Sequence, residues 1–179
     1  MKSAILVIDV QTVLFDPKPQ PFESAVVLDK INTINDWARA VEFPVIFIQH
    51  ERADSVIEFG SDGWKLQSEL RTSPNDHFVR KTTPDSFLRT NLEDLLHELN
   101  IGHLFICGYA SEFCVDTTTR RAAGLGYPVT LISDAHTTHD KPHATAEQIR
   151  VHHNMTLPEI TSFGVKIKTQ TVSSILAED

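Results

Sequence analysis

Ala4-Ile5-Leu6-Val7-Ile8 is an unbroken apolar run, rich in β-branched residues, that stops at Asp9. A strand with one wet face alternates apolar and polar positions, so a continuous run implies a strand covered on both sides, as in a parallel sheet. The same form recurs at Pro44-Val45-Ile46-Phe47-Ile48, His103-Leu104-Phe105-Ile106-Cys107 and Pro128-Val129-Thr130-Leu131-Ile132. Weaker runs follow at Phe78-Val79 and Val165-Lys166-Ile167. Helix-like segments fall between them, over 23–41, 92–99, 112–125 and 143–154, the first carrying Val26, Val27, Ile31, Ile34 and Trp37 at helical spacing. Gly102 and Gly126 follow the second and third as stop signals. The alternation predicts an α/β fold: a three-layer, doubly wound sheet of about six mainly parallel strands with helices on both faces and right-handed crossovers. Ligands of such sheets gather beyond the carboxyl ends of the strands.

The 179 residues suit one domain spanning 1–179, with 41% hydrophobic residues to build its core. Sixteen Lys and Arg against 24 Asp and Glu leave a formal charge of −8, which opposes a nucleic-acid or anionic-membrane partner. No apolar run approaches the roughly 20 residues of a membrane span, and Met1-Lys2-Ser3 leads straight into the first strand without a signal-peptide pattern, so a cytoplasmic protein is expected. In that compartment the two cysteines, Cys107 and Cys114, read as thiols rather than a disulfide. No internal repeat or linker divides the chain. The polar stretch 52–76, with Gly60, Gly63 and Pro74, reads as a surface excursion able to lid a site.

Three residues at three expected strand ends carry chemistry. Ser111 is expected to cap the helix that follows Gly108-Tyr109-Ala110, which places Cys114 in the first turn, where free N–H groups and the helix dipole favour a thiolate. Asp9 closes the first strand, and Lys81 ends the short strand at Phe78-Val79-Arg80. Each has an ordinary explanation when taken alone: a small buried thiol, a turn-capping Asp, a solvated lysine. Cys107, within an apolar strand, has no activating neighbour in sequence.

The ordered set resembles the isochorismatase-like cysteine hydrolases, a family that also holds nicotinamidases. The likeness runs through Val7-Ile8-Asp9-Val10-Gln11, Lys81 with Asp85-Ser86-Phe87 and Thr90-Asn91-Leu92, and Gly108 to Val115. It continues over Thr117, Arg121-Ala122, Gly126-Tyr127 and Val129 to Ser133-Asp134-Ala135-His136-Thr137, so it covers nearly the whole chain. It implies a catalytic triad of Asp9, Lys81 and Cys114, with Asp9 as base and Lys81 lowering the thiol pKa. It also implies a cis peptide between Tyr109 and Ala110, and an oxyanion hole formed by the Ala110 and Cys114 N–H groups. Where the family usually has Thr three residues before the cysteine, this chain has Ser111. The implied reaction is hydrolysis of a C–N bond in a small-molecule amide through a thioester. The fold also hosts isochorismatases, which cleave a vinyl ether by acid catalysis and need no thiol; Cys114 favours the amide. By the same resemblance the protein is a homo-oligomer, a dimer or tetramer, and no cofactor is implied.

Nicotinamidases of this family carry an Asp-x-His pair and a later His for a metal after the second strand, whereas Ile48-Gln49-His50-Glu51-Arg52-Ala53-Asp54 holds one His. No metal is therefore expected. His136, His139, Asp140 and His143 are metal-ligand types, but a polar loop with His143 opening the next helix is the plainer reading, and His152-His153 reads as an exposed helical pair. Substrate contacts are expected from Gln11, Phe15, His50, Trp64, Tyr109, Phe113 and His136, with the aromatics as an apolar wall and His50 or Gln11 as polar handles. A non-catalytic α/β binding module is the rival class. The lone Asp9 is unlike the paired acids of a receiver domain, and Val10-Gln11-Thr12-Val13-Leu14 is unlike a glycine-rich phosphate loop.

Overall fold

A computed structural model describes residues 2–178; Met1 and Asp179, the ends of the expected domain, lie outside the described residues. Six strands, β1 (Lys2–Ile8), β2 (Val45–His50), β3 (His77–Lys81), β4 (Ile101–Tyr109), β5 (Val129–Thr137) and β6 (Ile167–Gln170), form one sheet. Their order is β3-β2-β1-β4-β5-β6, and every neighbouring pair is parallel. The chain winds outward from β1 on one side and from β4 on the other, so the strand order reverses between them and a crevice opens beyond their carboxyl ends.

The apolar run of β1 shows why both faces need cover. Ala4, Leu6 and Ile8 enter one core, shared with Leu92 and Leu96 of α3 (Leu92–Glu98) and with Ala122 and Ala123 of α4 (Asp116–Gly124). Ile5 and Val7, pointing the other way, meet Val27, Ile31, Ile34 and Ala38 of α2 (Ser24–Ala40). Each β1 side chain buried at about 25 cal/mol per Å² stabilises the fold only because a helix layer lies on its side. The expected three layers are therefore observed.

Several boundaries differ from the sequence expectation. Two short helices, α1 (Thr12–Phe15) and α6 (Val172–Leu176), are too brief to show helical periodicity. Thr171 caps α6, whose Val172 and Ile175 complete the α2-side core. Strands β4 and β5 run on to Tyr109 and Thr137 because they resume parallel pairing after a register shift, at Gly108↔His136 and Tyr109↔Thr137. The helix expected over 143–154, α5 (Ala146–Thr156), begins after Thr145 and not at His143. Thr145 Oγ1 accepts the Gln148 N–H while Gln148 Oε1 accepts the Thr145 N–H, a reciprocal cap that fixes the start.

The excursion between β2 and β3 contains no helix or strand and is tied down from beneath. The Gln11 and Gln49 amides both donate to the Trp64 carbonyl, at 2.9 and 3.0 Å. Asn32 donates to Glu69 O and accepts from Arg71 N. A Cβ on Gly63 would meet Val56 O at 2.2 Å, so only glycine allows this close return of the loop.

Candidate active site

Asp9 follows β1 in a left-handed conformation (φ 50°), unusual for a residue other than glycine. The twist turns its carboxylate aside at the strand tip, where it is buried. Close packing of the β1 and β4 ends is possible because residue 108 is glycine (φ +116°); a Cβ there would stand 2.1 Å from Ile8 O. Lys81, the last residue of β3, reaches across beneath β2 with its side chain fully buried. Its ammonium lies 2.7 Å from Asp9 Oδ2, 3.1 Å from His50 Nδ1, 3.2 Å from Thr83 O and 3.3 Å from Cys114 Sγ. An ammonium has three hydrogens and no lone pair, so His50 Nδ1 must accept, leaving the imidazole neutral with its proton on Nε2. Burial and the Lys81 charge both hold His50 below its ordinary pKa, which agrees with that tautomer.

Cys114 sits on a π-helical turn, Ser111–Val115, that leads into α4. Such single wide turns are frequent at functional sites. The Val115 N–H reaches back five residues to Ala110 O, at 3.1 Å. The Tyr109–Ala110 peptide bond is cis. Ser111 does not cap the turn as expected: the cap position falls on Ala110, without a side-chain bond. The Ser111 hydroxyl instead meets His136 Nδ1 at 2.7 Å, and His136 Nε2 meets Asn154 Oδ1 at 2.9 Å, while Asn154 Nδ2 donates to Ser133 O. This buried relay ties the Cys114-bearing turn to β5 and α5.

The thiol departs from its expected state. Burial pushes the Cys114 pKa up to about 12, the Asp9 charge pushes the same way, and Lys81 opposes them without prevailing. Cys107 is sealed inside the sheet, its thiol driven up by burial alone, with Sγ 3.5 Å from Leu6 O.

Asp9, Cys114 and Ala110 share a pocket of 160 Å³ with the apolar or aromatic Leu14, Ile57, Tyr109 and Phe113 and the polar His50 and Gln11. Of the expected substrate contacts, His50, Tyr109 and Phe113 line it. Gln11 lines it but is no free handle: its amide donates to His50 O and Trp64 O and accepts the His50 N–H. Phe15 lies in the core, edge-on to Tyr109 at 5.9 Å, because α1 turns it inward. Trp64 packs against Phe59 in the excursion and not on the pocket wall. His136 is wholly buried in the relay; burial lowers its pKa to about 4, so it is a neutral structural group and not a substrate contact. Leu14 and Ile57 were missed; the only hint of Ile57 is an aliphatic pair, Val56-Ile57, inside a polar loop.

Asp9, His50 and Cys114 bring a carboxylate, an imidazole and a thiol within 4.8 Å of one another, donor types that suit zinc, but the Lys81 ammonium stands among them as the local cation. The histidines near β5 do not converge. His139 bridges Tyr109 Oη (2.7 Å) and Pro19 O (2.9 Å), and His143 lines a separate surface cavity with His152 and His153. His152 is exposed as expected, whereas His153 is half-buried, its Nδ1 2.8 Å from Ile149 O.

Comparison with known proteins agrees with this arrangement. Residues 3–160 match the isochorismatase domain family. A streptothricin hydrolase of Streptomyces noursei is 37% identical over 142 residues, which is 79% of this chain and 51% of that protein. The chain thus spans about half the length of that relative. Nicotinamidase 3 of Arabidopsis thaliana is 27% identical over 149 residues, 74% of this chain and 72% of that protein. A crystal structure of an isochorismatase family protein superposes with a TM-score of 0.86 at 39% identity, covering 94% of this chain and 98% of that one. A six-stranded parallel sheet, a match over residues 3–160, and a buried acid, amine and thiol at the sheet mouth place this chain in the isochorismatase domain family.

Proposed function

We propose that the protein hydrolyses a C–N bond of a small-molecule amide, with Cys114 as nucleophile, Asp9 as general base and acid, and Lys81 as the fixed cation between them. The observation that carries this reading is the position of the Lys81 ammonium, 2.7 Å from Asp9 Oδ2 and 3.3 Å from Cys114 Sγ, two groups that line one pocket. The relatives named streptothricin hydrolase and nicotinamidase support the reaction class.

A thiol raised to about 12 cannot supply a standing thiolate near neutral pH, so the proton must leave as the sulfur attacks. Asp9 Oδ2 is held by Lys81, while Oδ1 is buried without a hydrogen-bond partner among the described residues and is free to take that proton. The oxygen of the tetrahedral intermediate falls to the Ala110 and Cys114 N–H groups, a contribution of about 10²–10³ in rate per donor in other enzymes. Protonated Asp9 then gives its proton to the leaving nitrogen, and the thioester remains on Cys114. Water, deprotonated by the same carboxylate, releases the acid; the products are a carboxylic acid and ammonia or an amine. Vinyl-ether hydrolysis would use Asp9 alone and leaves the thiol beside Lys81 without a task.

The test is a panel of primary amides, carbamates and cyclic amides scored by release of ammonia or amine, with mass spectrometry of the quenched enzyme. Turnover with acyl transfer to Cys114, and its loss in Cys114→Ser, are expected. Turnover at the original rate in Cys114→Ser overturns the nucleophile.

A further inference from the structure

Among the described residues the pocket lining holds no free positive charge, and this bears on which amides the proposed C–N hydrolase accepts; the inference rests on that reading. Leu14, Ile57, Tyr109 and Phe113 line the pocket beside Asp9 and Cys114. The cations nearby are all engaged or lie outside. The Lys81 ammonium is buried and shared among four partners. His50 is neutral, since its Nδ1 accepts from that ammonium. Lys141 stands beyond Phe113, 5.8 Å from the ring centroid, held by Glu112 at 3.2 Å, Thr138 Oγ1 at 3.4 Å and His139 O at 3.3 Å. Arg52 is exposed on the excursion and does not line the pocket.

Against these stands Asp9, whose Oδ1 is buried and bare. A carboxylate on the acyl group would shed water against an apolar wall, with the Asp9 carboxylate nearby and no free counter-ion among the lining residues. We propose that this pocket selects small uncharged amides and rejects amides whose acyl group carries a carboxylate.

Two thiol reagents read that selectivity without any turnover. Iodoacetamide and iodoacetate alkylate the same sulfur and differ by one carboxylate. With each rate normalised to that of 2-mercaptoethanol, and the modified residue identified by mass spectrometry, Cys114 is expected to favour iodoacetamide by about tenfold or more. A normalised ratio of one or below overturns the proposal. Leu14→Arg, which puts a guanidinium in the wall, is expected to narrow the ratio; an unchanged ratio in the folded variant counts against the proposal. A second arm compares isobutyramide with malonamate as substrates, where a higher kcat/KM for isobutyramide is expected. A preference for malonamate overturns the charge selectivity and leaves C–N hydrolysis standing. Failure of every amide tested counts against the hydrolase reading, and the alkylation ratio still decides the selectivity.

Discussion

Lys81 Nζ lies 2.7 Å from Asp9 Oδ2 with both side chains buried, so the two opposite charges face each other away from bulk water. A buried pair of this kind adds little net stability over apolar residues, but removing one partner strands the other. The pair is therefore better explained by the chemistry of the site than by the needs of the fold.

Lys81→Met tests that statement through stability. Loss of the ammonium leaves a buried carboxylate without its counter-charge, and a fall of about 3–5 kcal/mol in urea unfolding is expected. The same variant should titrate its Cys114 thiol higher still, since Lys81 is the group that pulls it down. An unchanged thiol titration would show that Lys81 has no electrostatic hold on the sulfur.

Asp9→Asn separates thiolate population from catalysis. The Asp9 charge is among the causes that raise the thiol, so its removal should lower the Cys114 pKa and speed alkylation at a given pH. Amide turnover should nevertheless fall by about 10²–10⁴ because the proton acceptor is gone. Reactivity and turnover moving in the same direction would contradict a base role for Asp9.

His136 gives the fold an acid-sensitive step. Its pKa, near 6.5 in an unfolded chain, is held at about 4 by burial. Above pH 6.5 neither state carries the proton and the contribution is complete; between 6.5 and about 4 the unfolded chain binds a proton that the folded chain refuses, so stability is lost as pH falls. The interval corresponds to roughly 3 kcal/mol. Urea unfolding from pH 7 to 4 should show a shallower decline in His136→Gln than in the parent protein. Parallel curves would remove His136 as the cause; His103, also lowered to about 4 chiefly by burial, is common to both.

Gly108→Ala should damage structure and activity together. The added methyl would meet Ile8 O at 2.1 Å and Ile8 N at 2.7 Å, on a backbone at φ +116° that L-residues avoid. Forcing β1 from β4 at this point should cost about 3 kcal/mol or more and displace Asp9 from Cys114. A variant with unaltered melting temperature and rate would show that the crevice tolerates such spreading.

The sheet was legible because a parallel strand buried on both faces leaves an unbroken apolar run, and β1, β2, β4 and β5 each have one. Asp9, Lys81 and Cys114 were legible as strand-end residues whose order along the chain matches a family pattern. The π-helical turn was not, since a turn one residue wider than an α-helix leaves no mark on apolar spacing over five residues. Ser111 illustrates the limit: a hydroxyl before a helix reads as a cap, yet a buried imidazole 25 positions later became its partner. Local sequence cannot register such a competitor. Phe15 and Trp64 failed for a similar reason, because an aromatic residue near a site in sequence packs inward as readily as outward.

Asp9 and Lys81 are separated by 72 positions and Lys81 and Cys114 by 33, and they come from three places in the sheet: just after β1, the last residue of β3, and the turn that follows β4. Turnover is consequently a reporter of completed assembly. A refolding chain that has gained its helices but not the β1–β4 seam should be chemically silent, so recovery of activity should lag the circular dichroism signal by the time the central strands take to join.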